Sequence, residues 1–157
     1  MSSGDGEAIT AAGLEALRAE LHELETTERQ AIAKRILAAR EMGDLKENAE
    51  YHIAKNDQAM LETKILRLNQ RERNAVVVEA DAGADVVTFG GKVTVLDVES
   101  GRTNVWTIVG ATEADAAAGL LSAESPVAVA LMGAKPGDTV AVETPRGSRE
   151  MRVESLG

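Results

Sequence analysis

Between Leu14 and Ala75 the chain has no proline, and Gly43 is its only glycine. Nothing in that stretch other than Gly43 opposes a continuous helix. Apolar residues fall at Leu14, Leu17, Leu21 and Leu24 and resume at Ile32, Ile36 and Ala39. Beyond Gly43 they continue at Ala49, Ile53 and Met60, then at Leu61, Ile65 and Leu68. These are narrow, charge-flanked seams of coiled-coil type, and the phase slips near Glu28 and again near Met60. Thr10 is placed to cap the first helix. The break at Met42-Gly43-Asp44 is short, so the two arms are expected to fold back as antiparallel neighbours. Arms of about 30 residues reach roughly 45 Å. Residues 1–75 thus read as a long helical hairpin with a tip near 43–51.

After Ala75 the period changes to two. Residues 75–79, 92–97, 104–109, 138–144 and 148–155 read as strands, separated by turns at Gly90-Gly91, Ser100-Gly101, Pro136-Gly137 and Arg146-Gly147. A short helix is expected over 126–132, opened by Ser125 and Pro126 and closed by Gly133. The fold class is α plus α+β: a long antiparallel helical hairpin followed, over 76–157, by a small antiparallel α+β domain.

Composition removes several functions. Tyr51, Phe89 and Trp106 are the only aromatic residues, so a surface of stacked aromatics for single-stranded nucleic acid is excluded. With no cysteine and two isolated histidines, His22 and His52, a thiolate or protein-only transition-metal site is not expected. Both histidines read as surface residues, and Trp106 as part of the small domain's core. Net charge is −9, which opposes free binding to duplex DNA. Residues 1–75 hold 14 acids against 11 bases, the dense mixture of exposed helices, and 76–157 hold 12 against 6. There is no membrane-length apolar run and no secretory leader pattern, so a cytoplasmic protein is expected.

The tip, from Arg40 to His52, reads R-E-M-G-D-L-K-E-N-A-E-Y-H. Gly43 suits the left-handed residue that ends a helix. Asp44 suits the N-cap of the second helix, with Glu47 three residues on as a capping-box partner. That reading is physically sufficient. A second uses the same spacing: Asp44, Glu47 and Tyr51 at i, i+3 and i+7 share one helix face, carrying two carboxylates at the end of a rod. Two carboxylates can help hold a hard divalent cation or polarise a water, provided that a partner supplies further ligands.

The run from Gly43 to His52, with Ala39-Arg40-Glu41 before it, resembles the tip signature of the bacterial Gre transcript-cleavage factors, on the GreA side of that family. Phe89-Gly90, Ile108-Val109-Gly110, Ser125-Pro126-Val127-Ala128 and Gly137-Asp138 fit as well, so the resemblance covers nearly the whole chain from about Thr10. Gln30 stands where first helices of the family often carry proline. The resemblance implies an FKBP-like C-terminal domain that binds RNA polymerase at the rim of its secondary channel. It implies a coiled coil that passes down the channel, and tip acids that help the polymerase's own active site hydrolyse backtracked nascent RNA.

On that reading Asp44 contacts a Mg²⁺ ion supplied and mainly held by the polymerase, and Glu47 orients or deprotonates the attacking water. Tyr51, Arg40 and Lys46 position the tip or the RNA 3′ end. Ser125, Pro126, Leu131 and Met132 are candidate polymerase contacts, with a core role for Leu131 and Met132 equally consistent. Arg29, Lys34, Arg35 and Lys55 either guide RNA or pair with neighbouring acids. The chain would be a monomer, no enzyme by itself, with no cofactor of its own. The alternative is a channel binder that inhibits polymerase without promoting cleavage. Independent prolyl-isomerase activity is disfavoured, because residues 76–157 offer only Phe89 and Trp106 for an aromatic pocket. A generic coiled-coil adaptor would explain the rod and leave the tip unexplained.

Overall fold

The structure is a computed structural model that describes residues 6–81 and 83–157. The polar start 1–5 and Ala82 of the acidic linker lie outside the described residues. The chain divides into two compact units, Leu14–Ala75 in one and Glu7–Gly13 with Val76–Gly157 in the other.

The first unit is a helical hairpin. One arm comprises α1 (Ala11–Glu23), a π-helical turn (Leu24–Glu28) and α2 (Arg29–Arg40). The other is α3 (Ala49–Asn74), 26 residues long and therefore about 39 Å. Leu17, Leu21, Leu24, Ile32, Ile36 and Ala39 of one arm are buried, as are Ala54, Leu61, Ile65 and Leu68 of the other. Ion pairs Arg18–Glu72, Arg29–Glu62 and Arg35–Asp57 join the arms in antiparallel order.

The π-helical turn explains the slip near Glu28. Leu24 and Ile32 are eight residues apart, one more than a heptad. A π-helical turn takes up a single extra residue and returns the next apolar side chain to the seam. The Thr26 hydroxyl of this turn donates to the His22 carbonyl of α1 at 2.6 Å.

The seam of α3 differs from the sequence expectation. Ile53 and Met60 are 57% and 64% exposed and Ala49 is exposed, whereas Ala54 is buried. Leu61, Ile65 and Leu68 fix the phase, and seven residues before Leu61 stands Ala54. Ile53 and Met60 are each one position off that phase, about 100° around the helix.

In the second unit, β1 (Glu7–Ile9) and β2 (Ala75–Val77) form a two-stranded sheet. The sequence offered no signal for β1, and a division after residue 75 separates it from its partner. The main sheet is β3 (Lys92–Asp97), β4 (Thr103–Val109), β5 (Leu120–Ser122), β6 (Thr139–Thr144) and β7 (Gly147–Leu156), in the order β5-β4-β3-β7-β6. It is antiparallel except for β5, a strand not anticipated, which runs parallel to β4. Along β3, Val93, Val95 and Asp97 point inward by the two-residue period. With Ile108, Val153 and the helix α4 (Pro126–Leu131) the two valines enclose an aliphatic core against which Phe89 and Trp106 pack, and Asp97 pairs with Arg149.

Glu113 fixes the start of α1 within this second unit. Its carboxylate accepts from the Thr10 N–H at 3.0 Å, from the Gly110 N–H at 2.9 Å and from the Thr10 hydroxyl. Thr10 Oγ1 in turn accepts from the Gly13 N–H at 3.0 Å, the cap expected of it. Among the described residues no helix is long and apolar enough to cross a membrane.

Candidate functional site

The turn of the hairpin occupies residues 41–48. The last amides of α2 close on their own carbonyls: Glu41 on Leu37, Met42 on Ala39 and Gly43 on Arg40, at 3.2, 3.1 and 3.3 Å. Gly43 has φ = +109° with open space around it, so the backbone conformation and not crowding asks for glycine there.

Asp44 is not the N-cap of the second helix. Helix α3 begins at Ala49, and its N-cap is Asn48, whose side-chain oxygen accepts from the Tyr51 N–H at 3.1 Å. Asp44 instead forms a local turn, its Oδ1 accepting from the Lys46 N–H at 2.9 Å. Asp44 and Glu47 thus lie in an irregular loop, and the helical i, i+3, i+7 face drawn through them and Tyr51 does not exist. The physical reason is competition between two good caps. Asn and Asp rank together at the N-cap, and Asn48 has a further partner that Asp cannot have. Its Nδ2 donates to the Ala39 carbonyl at the end of α2, at 2.6 Å. That carbonyl, at the helix C-terminus, has the Met42 N–H as a backbone partner and takes the Asn48 amide as its second. The signal was present as Asn48 followed by Glu50 in the first turn, a favourable place for an acid.

Both tip carboxylates are exposed, and neither joins an ion pair among the described residues. Tyr51 is half-buried, with the Arg40 guanidinium carbon 6.0 Å from its ring centre and the His52 ring edge-on at 5.6 Å. His52 Nε2 lies 3.2 Å from the Lys46 carbonyl, which makes it a donor if that nitrogen carries the proton. The structure therefore brings Arg40 to Tyr51, and Lys46 to Asp44 and His52, while Glu47 stands free of side-chain partners among the described residues. Asn48 and His52 bond to the ends of the loop and to its Lys46 carbonyl, contacts that the sequence pattern did not single out.

The described residues contain no group of three or more metal-ligating side chains. The exposed oxygens of Asp44 and Glu47 suit them as supplementary ligands to an ion that another molecule mainly holds.

In the second unit, Ser125 caps α4. Its Oγ accepts from the Ala128 N–H at 3.2 Å and donates to the Ser122 carbonyl at 2.7 Å. Pro126 is exposed and Met132 is 41% exposed. Leu131 is fully buried in the core and offers no surface for a contact, because α4 turns it against the sheet. Val129, 63% exposed, shares the outer side of α4 with Pro126 and was not anticipated.

Two family descriptions match. "Transcription elongation factor, N-terminal" covers residues 7–77, and "Transcription elongation factor, GreA/GreB, C-term" covers residues 81–156. A relative from Geobacillus kaustophilus, named transcription elongation factor GreA, is 42% identical over 149 residues, 94% of each chain. Another so named, from Alkalilimnicola ehrlichii, is 44% identical over 147 residues, 92% of this chain and 93% of its own. Among solved structures, the GreA factor homolog 1 (Gfh1) protein of Thermus thermophilus is 28% identical with a TM-score of 0.44, covering 97% of this chain and 99% of its own.

Proposed function

The chain belongs to the GreA/GreB family of transcription elongation factors, and from that membership we propose that it binds RNA polymerase and stimulates cleavage of backtracked nascent RNA, rescuing arrested complexes. The observation that carries the reading is the loop 41–48, which presents Asp44 and Glu47 exposed and unpaired at the turn of a long hairpin. A helical arm of this length is suited to carrying two carboxylates into a polymerase's secondary channel.

A Mg²⁺ ion supplied and mainly held by the polymerase would provide Lewis-acid activation of the scissile phosphate and the attacking water. Asp44 would offer a carboxylate oxygen to that ion while its Oδ1 keeps the Lys46 amide. Glu47 would accept a proton from, or orient, the attacking water. Arg40, stacked near Tyr51, and Lys46 would hold the RNA 3′ end by phosphate contact. Exposed Pro126 and Met132, beside Ser125, would contact polymerase from the second unit. The chain acts as a cytoplasmic monomer, with the polymerase as the enzyme and no cofactor bound to the chain by itself.

The test is a transcript-cleavage assay on a stalled, backtracked elongation complex with and without the protein. Accelerated release of the 3′ RNA fragment supports the reading. Slowed elongation with no added cleavage would instead indicate a channel-binding inhibitor, and no effect of either kind would refute both.

A further inference from the structure

We infer that Asn48 is a positioning residue of the tip: its side-chain amide bolts the end of α2 to the start of α3 and so fixes the loop that carries Asp44 and Glu47. The inference rests on the proposed cleavage function for its consequence, and on geometry for its substance.

The amide is used at both ends. Oδ1 accepts from the Tyr51 N–H at 3.1 Å and Nδ2 donates to the Ala39 carbonyl at 2.6 Å. This orientation of the amide is the one that matches a donor with an acceptor on each side. The Ala39 carbonyl also accepts from the Met42 N–H at 3.1 Å, so both its lone pairs are engaged. Ala39 is itself buried in the seam, 2% exposed, which makes it a fixed anchor. The Asn48 bond spans nine residues and closes a ring around Arg40–Glu47. Inside that ring the hydrogen bonds are the short closures at the end of α2, the Asp44–Lys46 turn and the His52 contact to the Lys46 carbonyl.

An N-cap alone would need only the oxygen. Serine and aspartate cap as well as asparagine, and neither reaches back with an N–H donor. Only asparagine satisfies the helix start and the opposing carbonyl together from this position. Loss of the clamp would leave the two carboxylates chemically intact on a loop free to shift. Misplacement by about 1 Å costs catalysis on the order of a hundredfold.

The experiment compares Asn48→Ser, Asn48→Asp and the unaltered full-length chain. Asn48→Ser retains the cap and removes the clamp. Asn48→Asp does likewise and sets a carboxylate oxygen against the Ala39 carbonyl. Each is titrated in the cleavage assay, and amide hydrogen exchange is followed in the free protein. In Asn48→Ser the saturating cleavage rate is expected to fall about tenfold or more, with the half-saturating concentration moving less than about twofold. Exchange of the Met42 and Lys46 amides should quicken by roughly tenfold, and that of amides in 61–68 should not change. The melting temperature should stay near wild type. Asn48→Asp should behave alike or worse.

An Asn48→Ser chain that cleaves at the wild-type saturating rate overturns the inference. So does a defect confined to the half-saturating concentration, or unaltered exchange at Met42 and Lys46. If the unaltered chain itself fails to stimulate cleavage, the functional reading falls, and exchange alone decides the clamp: faster exchange upholds it and unchanged exchange refutes it.

Discussion

Arg29 and Glu62 meet fork to fork across the two arms of the hairpin, Nε to Oε2 at 2.9 Å and Nη2 to Oε1 at 2.8 Å. The pair stands at the first residue of α2, where the helix resumes regular geometry after its π-helical turn. Its two parallel bonds define a register that a single lysine–carboxylate contact would leave looser.

The pair makes hairpin stability depend on pH. The bond from Arg29 holds the Glu62 carboxyl below its ordinary value of 4.5, against a smaller opposing effect of desolvation. A depressed carboxylate stabilises the folded state above its unfolded value, and that support is lost as pH falls through the folded one. Arg29, raised chiefly by its bond to Glu62, contributes throughout the neutral range and loses its share only in strong alkali. Glu62→Gln should therefore melt slightly below wild type at neutral pH, and the two curves should converge as acidification carries the Glu62 carboxyl through its lowered folded-state value. Both side chains are exposed, so the gap should shrink in high salt. A gap that widens on acidification would contradict the assignment.

Asp44→Asn separates charge from fold. The amide oxygen can still accept from the Lys46 N–H, and α3 keeps its cap on Asn48, so melting and polymerase binding should stay near wild type. Cleavage should fall by roughly a hundredfold or more, the usual effect of losing one preorganised electrostatic contact. Added Mg²⁺ should restore part of the rate. Glu47→Gln should impair cleavage as well, and the double variant should fall far short of the product of the two defects. Normal cleavage by Asp44→Asn at low Mg²⁺ would remove Asp44 from the mechanism.

Gly13→Ala should destabilise, against the helix scale. Alanine in place of a helical glycine ordinarily gains about 0.5–1 kcal/mol. At Gly13, however, a Cβ would collide with the Glu113 carboxylate, which would have to leave Thr10 and Gly110. Losing hydrogen bonds to a charged group costs about 1.5–3 kcal/mol each, more than the helix gains. In a Glu113→Ala background the same glycine change should stabilise. A thermal-melting double-mutant cycle reads this reversal, and additive effects would show that Glu113 does not hold the helix start.

The isolated protein should be monomeric. Leu17, Leu21 and Leu24 of one arm and Leu61, Ile65 and Leu68 of the other are buried within one chain, so these seam residues are already occupied. Light scattering across a wide concentration range should give a single 16.5 kDa species. A stable dimer that dissociates when Leu61 or Ile65 is made polar would refute this.

Helix and sheet were legible where one period ran unopposed. The leucine spacing from Leu14 to Leu24 and the alternation in 92–97 both carried through to structure. The phase of α3 was not legible near its start, because Ile53 and Met60 are larger hydrophobes than Ala54 and draw attention from it. Strand β1 was hidden because three residues carry no period, and its pairing with β2 joins positions nearly seventy residues apart. The tip acids were legible as a motif, while their support was not. Asp44 and Asn48 are equally good caps by composition, and only the Ala39 carbonyl, fixed by the fold, decides between them. Leu131 carries the opposite lesson: adjacency to exposed Met132 in sequence says nothing about a side chain that α4 rotates into the core.

The π-helical turn gives the first arm one residue of slack. Removing a single residue between Glu25 and Glu28 would leave Leu24 and Ile32 seven apart, a spacing that an unbroken α-helix accommodates. Ile32, Ile36 and Ala39 would keep their facing, and the carbonyl that Asn48 grips would stay in place. The same deletion elsewhere in that arm would swing everything beyond it by about 100°. The number of residues in the first arm can therefore change at one locus without re-aiming the acids, and at every other position count and aim are locked together.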